Sequence, residues 1–187
     1  MTLRMIYSRF LDPDGKEVSI GGVQTYLQEL AECAAEMGLK TVLYQQAARP
    51  FEKEAGSISV QGVVVAGSKK YTDIWKELYS AALREINDKR DILLFGTDVQ
   101  SVRTDYARAI LLQHGIYWDK PWERGERFEC LERWPFLRAI LTARRHYQYI
   151  RQFENCRNRV CVDYNFQNWY RTFRIDQTGK NTWVIPN

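Results

Sequence analysis

Two adjacent glycines, Gly21 and Gly22, stand immediately ahead of a run with helical periodicity. A backbone without Cβ atoms can approach a ligand closely, and the free amides and dipole of a helix start favour a phosphate. A bare Gly-Gly is equally a tight turn feeding a helix, so the pair is weighed with its surroundings. GxGxxG is absent, which argues against a nicotinamide dehydrogenase, and GxxxxGK[ST] is absent, which argues against a P-loop kinase. Further polar groups follow directly on apolar runs: Ser8 and Arg9, Gln45 and Gln46, Gly96 to Asp98, His114 to Asp119, and Asp163 to Asn165. His114 is one of two histidines; the other, His146, lies between Arg145 and Tyr147 and reads as a surface residue. Asp98 and Asp163 have a second reading, as caps of the helical stretches after them. The cysteines, Cys33, Cys130, Cys156 and Cys161, form no CxxC pair and read as reduced thiols. Cys156, Cys161 and His146 lack the spacing of a zinc site, and no DxD-type carboxylate cluster occurs, so neither a metal nor another cofactor is implied.

These groups need elements to hold them. Leu3 to Tyr7 reads as a first strand, followed by the turn-rich stretch Asp12-Pro13-Asp14-Gly15. Val23, Tyr26, Leu27, Leu30, Ala34 and Met37 recur at helical spacing up to Gly38, where a helix would stop. Lys40 to Gln45 is the next strand, and Ser57 to Ala66 is one more strand or a hairpin bent at Gly62. A helix capped by Thr72 would bury Trp75, Leu78, Tyr79, Ala82 and Ile86. The unbroken apolar run after Asp91 reads as a fully buried strand ending at Gly96. A short helix near Asp105 leads to a strand over Ala109 to Gln113. A long helical region, which Pro135 should break or restart, ends near Asn155, and Arg159 to Asp163, Phe166 to Phe173 and Thr182 to Ile185 give strand, helix, strand. Alternation of this kind predicts an α/β fold: a doubly wound, mostly parallel, Rossmann-like sheet with helices on both faces. Ligands of such sheets bind beyond the carboxyl ends of the strands, where the polar groups named above fall.

The length of 187 residues fits one domain, residues 1–187, with a sizeable core. No apolar run reaches the roughly 20 residues of a membrane span and no leader pattern opens the chain, so a cytoplasmic location is expected. The net charge of +4 is uneven. Seven Arg and two Glu fall between Cys130 and Val160, a local +5, which leaves −1 for the rest. The same stretch holds Trp134, Phe136, Tyr147 and Tyr149. It reads as a solvated helical face or as a patch for anionic lipid or a lipid-linked sugar at the inner face of a membrane. Nothing in it matches a nucleic-acid-binding fold, so no nucleic-acid partner is expected.

The ordered set of motifs resembles family-four glycosyltransferases. Ile20-Gly21-Gly22-Val23, then Tyr26-Leu27-Gln28-Glu29-Leu30-Ala31, then Met37-Gly38-Leu39-Lys40-Thr41-Val42 looks like the opening of that family, with Lys40 where the family more often has His. Gln113 to Asp119 looks like its histidine loop, Val162-Asp163-Tyr164-Asn165 with Trp169-Tyr170-Arg171 like the end of its first domain, and Val184-Ile185-Pro186-Asn187 like the connection to its second. The resemblance implies the N-terminal, acceptor-side domain of a retaining enzyme of GT-B architecture. Its partners would be a nucleotide-sugar donor and a carbohydrate or lipid-linked acceptor. It implies that Gly21 and Gly22 contact the donor diphosphate and that His114 lies near the transferred sugar. Asp98 would orient a hydroxyl, and Asp119, Tyr164 and Asn165 would line the acceptor side. The donor-binding second domain of the family is absent from these residues, so the domain is expected to be inactive by itself. Glu77 and Glu85 match the family's E-x7-E spacing, but in a helix remote from the strand ends, and that match reads as coincidence. A different class stays open: a non-catalytic Rossmann-like module that holds a nucleotide or docks a partner.

Overall fold

The central apolar runs assemble into one sheet because they are buried on both sides. In the computed structural model, residues 1–65, 71–86, 89–114, 134–174 and 181–185 are described. The strands are β1 (Thr2–Ile6), β2 (Lys40–Ala47), β3 (Phe51–Ala55), β4 (Ile58–Val64), β5 (Ile92–Phe95), β6 (Ala109–Gln113), β7 (Asn158–Cys161) and β8 (Thr182–Val184). The helices are α1 (Gly22–Glu36), α2 (Tyr71–Arg84), α3 (Pro135–Phe153) and α4 (Tyr164–Phe173). The strand order is β3-β4-β2-β1-β5-β6-β7-β8, and every neighbouring pair is parallel except β3 with β4. This is the α/β, doubly wound, mostly parallel sheet with helices on both faces that the alternation implied.

Neighbouring strand residues serve opposite faces. Leu3, Met5, Leu43, Val60 and Leu94 pack with Leu27, Ala31 and Ala34 of α1. Ile6, Tyr44, Leu93, Phe95 and Leu111 pack with Leu78 and Ala82 of α2, Ile150 and Phe153 of α3, and Phe166 and Tyr170 of α4. A strand sandwiched this way has no polar face, which is why β5 is a continuous apolar run.

The structure departs from the sequence reading in three places. Ser57 to Ala66 holds a single strand, β4, the first of the two readings given for it, but its hairpin partner β3 was not foreseen; the pair turns at Gly56 (φ 60°), with no bend at Gly62. Gly62 lies in mid-strand, where an added Cβ would come within 2.5 Å of the Phe51 ring, so close packing of that ring explains the glycine. The stretch near Asp105 is not helical; the short helix is one 3-10 turn, Asp98–Gln100. Helix α2 begins at Tyr71, so Thr72 lies inside it, and ends at Arg84, short of Ile86. Pro135 opens α3, the restart that was one of its two readings, at a first-turn position where its missing N–H costs nothing. Asp119, Cys130 and Pro186-Asn187 lie outside the described residues.

The amino edge of the sheet is closed by charge. The buried Arg4 donates through Nε to Asp91 at 3.1 Å, through one terminal nitrogen to Tyr44 Oη at 2.6 Å and through the other to the Glu85 carbonyl at 2.6 Å. The Glu85 carboxylate also accepts from Tyr44 Oη at 2.8 Å. Glu85 therefore serves the edge opposite the strand ends that carry the candidate site.

Candidate functional site

The strand order reverses at β1. From β1 the chain steps outward through β2 to β4, then returns to place β5 on the other side of β1. The crevice beyond the carboxyl ends of β1 and β5 is the switch point, where two connections leave on opposite faces and a gap opens. Four segments converge on this rim: residues 7–9 after β1, residues 96–98 after β5, His114 after β6, and the start of α1.

Helix α1 starts at the rim with no side chain capping it. Gly21 is its N-cap, in extended backbone at φ 175°, and makes no side-chain cap hydrogen bond. The orphan amides of the first turn, Gly22 to Gln24, are thus left without the side-chain acceptor that a Ser or Asp cap would supply. The loop leading there is fixed by Gln45, fully buried at the end of β2. Its Oε1 accepts from the amides of Phe10 at 3.1 Å and Leu11 at 2.6 Å, and its Nε2 donates to the Leu11 carbonyl at 3.2 Å. Phe10 and Leu11 are themselves buried in the α1 face, so residues 8–20 form a small closed loop and not a free strap. Gln24 Nε2 donates to the Arg9 carbonyl at 3.0 Å and ties that loop to the helix it introduces.

His114 stands over this helix start. A Cβ placed on Gly22 would lie 3.9 Å from His114 Cε1, so the glycine and the imidazole adjoin directly. Tyr26, one turn further along α1, meets the imidazole edge-on with ring centroids 5.8 Å apart. Burial depresses the His114 pKa below its ordinary value and keeps the ring neutral near pH 7. Its Nε2 is buried with no hydrogen-bond partner among the described residues. A neutral imidazole can donate from one nitrogen and accept at the other, and a buried ring nitrogen without a partner is costly unless a ligand fills that place. Uncapped amides and an unpartnered imidazole on one rim can hold a phosphate and a neighbouring hydroxyl.

The remaining candidates named from the sequence divide. Asp98 is buried within the 3-10 turn after β5; desolvation pushes its pKa up to about 7, against hydrogen bonds from the Val99 amide and its own. It points into the protein and not into open solvent at the rim. Asp163 caps α4, accepting from the Phe166 amide at 2.8 Å, in keeping with the capping alternative. Tyr164 and Asn165 are exposed on the first turn of α4, beyond β7, the strand next to the one that carries His114. Cys156 and Cys161 are buried, and burial pushes both thiols up to about 12, where they are inert.

Sequence reasoning overlooked two features. One is Tyr26, whose i,i+4 spacing from Gly22 places it on the same helical face; that signal was readable. The other is the part of Ile74 and Trp75, which with the strand-end residues Ser8, Arg9 and Gln46 already named bound a cleft of about 490 Å³ beyond the carboxyl ends of β1 and β2. Among the described residues its lining holds one guanidinium, a hydroxyl, an amide and an indole edge, and no carboxylate. Such a wall suits a polyhydroxylated or anionic ligand. Helical periodicity assigns Trp75 to the core, and only tertiary structure shows that it borders open space.

No protein-family model and no curated protein matches the sequence. Solved structures superpose on it, two of them trehalose-phosphate synthases. A UDP-forming alpha,alpha-trehalose-phosphate synthase from Burkholderia vietnamiensis does so with TM-score 0.48 and 9% identity, over 99% of this chain and 48% of that one. An alpha,alpha-trehalose 6-phosphate synthase from Burkholderia multivorans does so with TM-score 0.46 and 9% identity, over 100% of this chain and 48% of that one. The chain thus spans about half the length of either.

Proposed function

We propose that residues 1–187 form the acceptor-side, N-terminal domain of a GT-B glycosyltransferase that moves a sugar from a nucleotide-sugar donor to an acceptor with retention. The observation that carries this reading is the juxtaposition of Gly22 and His114 at the uncapped start of α1, where a Cβ on the glycine would lie 3.9 Å from the imidazole. It joins two motifs, separated by more than 90 residues of sequence, that the glycosyltransferase resemblance pairs. In this reading the first-turn amides of α1 hold the donor diphosphate, and His114 Nε2 bonds a hydroxyl of the transferred sugar. The Arg9–Trp75 cleft accepts the second substrate. Departure of a diphosphate leaves charge that preorganised donors stabilise, and helix amides give part of that stabilisation. The remaining charge and the exclusion of water need a second domain closing over the rim, so the 187 residues alone bind without turning over. No metal or other cofactor enters the scheme.

Calorimetric titration of the chain with a panel of nucleoside diphosphate sugars tests this. At least one should bind, and Gly22→Ala and His114→Ala should each weaken it by about tenfold, on the order of 1.4 kcal/mol. A Cβ at Gly22 meets only the His114 ring at ordinary contact distance, so the alanine folds normally while occupying the space a phosphate oxygen needs. Absence of binding across the panel, or equal binding by both variants, would remove the reading.

A further inference from the structure

Helix α3 has nineteen residues, about 28 Å at 1.5 Å per residue, and only its second half is anchored. Ile150 and Phe153 are buried against the sheet, and His146 packs edge-on against Trp169 and Phe173 of α4. In its first half every residue from Trp134 to Ile140 is exposed. Phe136 is 79% exposed, Trp134 64% and Ile140 48%, in a stretch whose composition belongs in a core. Because α3 follows β6 and precedes β7 in a parallel sheet, this bare half lies at the carboxyl edge, the same edge as His114 and the start of α1.

The helical period sorts the exposed side chains. At about 100° per residue, Phe136, Ile140 and Tyr147 fall within about 40° of one another, and Leu137, Arg144 and Arg151 form the adjoining row. Arg144 and Arg151 are exposed, and the Arg151 guanidinium lies 5.9 Å from the centre of the Tyr147 ring. The helix carries four Arg and no acidic residue. The outward surface therefore has an apolar tip, a Trp at its entrance and a cationic shaft. Docking on a second copy would oppose Arg to Arg along this shaft. A partner that is anionic over an area and apolar beneath it satisfies both parts, and a bilayer of anionic lipids is such a partner.

We infer that α3 is a membrane-docking helix: Trp134, Phe136, Leu137 and Ile140 enter the acyl boundary of an anionic bilayer while Arg144 and Arg151 sit among its headgroups. The rim with His114 then faces the lipid surface. This inference rests on the exposure and charge of α3 and stands or falls apart from the sugar-transfer reading.

Co-sedimentation of the 187-residue chain with vesicles tests it, comparing phosphatidylglycerol–phosphatidylcholine mixtures with phosphatidylcholine alone. The chain should sediment with the anionic vesicles, at least about tenfold less with the neutral ones, and progressively less as salt rises. The pairs Phe136→Ser with Ile140→Ser, and Arg144→Gln with Arg151→Gln, should each cut partition by about tenfold. Met37→Ser, an exposed apolar residue at the far end of α1, should leave it unchanged. All these positions are exposed, and circular dichroism verifies that the variants fold. No sedimentation with anionic vesicles, or partition indifferent to the Phe136/Ile140 pair, would overturn the proposal. Equal retention by double-stranded DNA, with only the arginines mattering, would also overturn it. So would a concentration-dependent dimer in light scattering that the Phe136/Ile140 pair abolishes.

Discussion

At the scale of single residues, burial sets the protonation states. His114 is held neutral and is able to accept or donate, which suits contact with a sugar hydroxyl better than with a phosphate, where a cation would serve. Asp98 is the sharper case. Its ordinary pKa is 3.8, and in the fold it is pushed up to about 7 by desolvation. Between these values the unfolded chain is ionised and the folded chain still holds the proton. Folding is therefore favoured less and less as pH rises through that interval, and above it the penalty is constant. Asn at this position can still accept from the Val99 amide and has no charge to bury. Asp98→Asn should raise the melting temperature by little near pH 4 and by more at pH 8, as followed by differential scanning fluorimetry. An offset that is the same at both pH values would show that the carboxyl is ionised throughout and held by partners instead.

At the scale of elements, the loop between β1 and α1 is where local sequence and tertiary structure meet. Asp12 and Gly15 mark its turn: the Lys16 amide donates to Asp12 Oδ1 at 2.6 Å, and Gly15 takes φ 73°. What holds the turn against the sheet is Gln45, thirty-odd residues away and outside any local pattern. Gln45→Leu keeps the volume and leaves two buried amides without an acceptor, at a cost of roughly 2–4 kcal/mol by the usual desolvation penalty. Chemical denaturation should register that loss. Proteolysis should begin within residues 8–20, whereas cuts elsewhere first would show that Gln45 does not secure the loop. The same contrast explains what the chain discloses unaided. Strands β5 and β6 were legible because burial on both faces leaves a continuous apolar run, which in β1 is broken by Arg4, and α1 was legible from its period and from Gly38 at φ 73°. Strand β3 was not: Phe-Glu-Lys-Glu-Ala is an edge strand, and edge strands carry charge in place of apolar alternation. Of the candidate site, Gly21 and Gly22 were readable from their place ahead of a helical run and His114 from its strand-end position. The burial of Asp98 was not, because it depends on how the 3-10 turn folds inward against α3.

At the scale of the whole molecule, one edge of the sheet is closed by a charged network and the other carries the candidate site. The amino edge is locked by Arg4 with Asp91, Tyr44 and Glu85. Among the described residues, the carboxyl edge gathers an uncapped helix start, an imidazole with an unpartnered nitrogen, a cleft without carboxylates and the exposed half of α3. That polarity follows from the parallel topology alone, since every parallel strand delivers its exit loop to the same side. The proposed division of labour, acceptor and part of the donor on this domain, has its centre where α1 begins. Nuclear magnetic resonance of the labelled chain, titrated with a nucleoside diphosphate sugar, tests that centre most directly. The amides of Gly22, Val23 and Gln24 and the ring resonances of His114 should shift together along one saturation curve. Shifts that saturate at other strand ends or on α3 while these stay fixed would contradict the account.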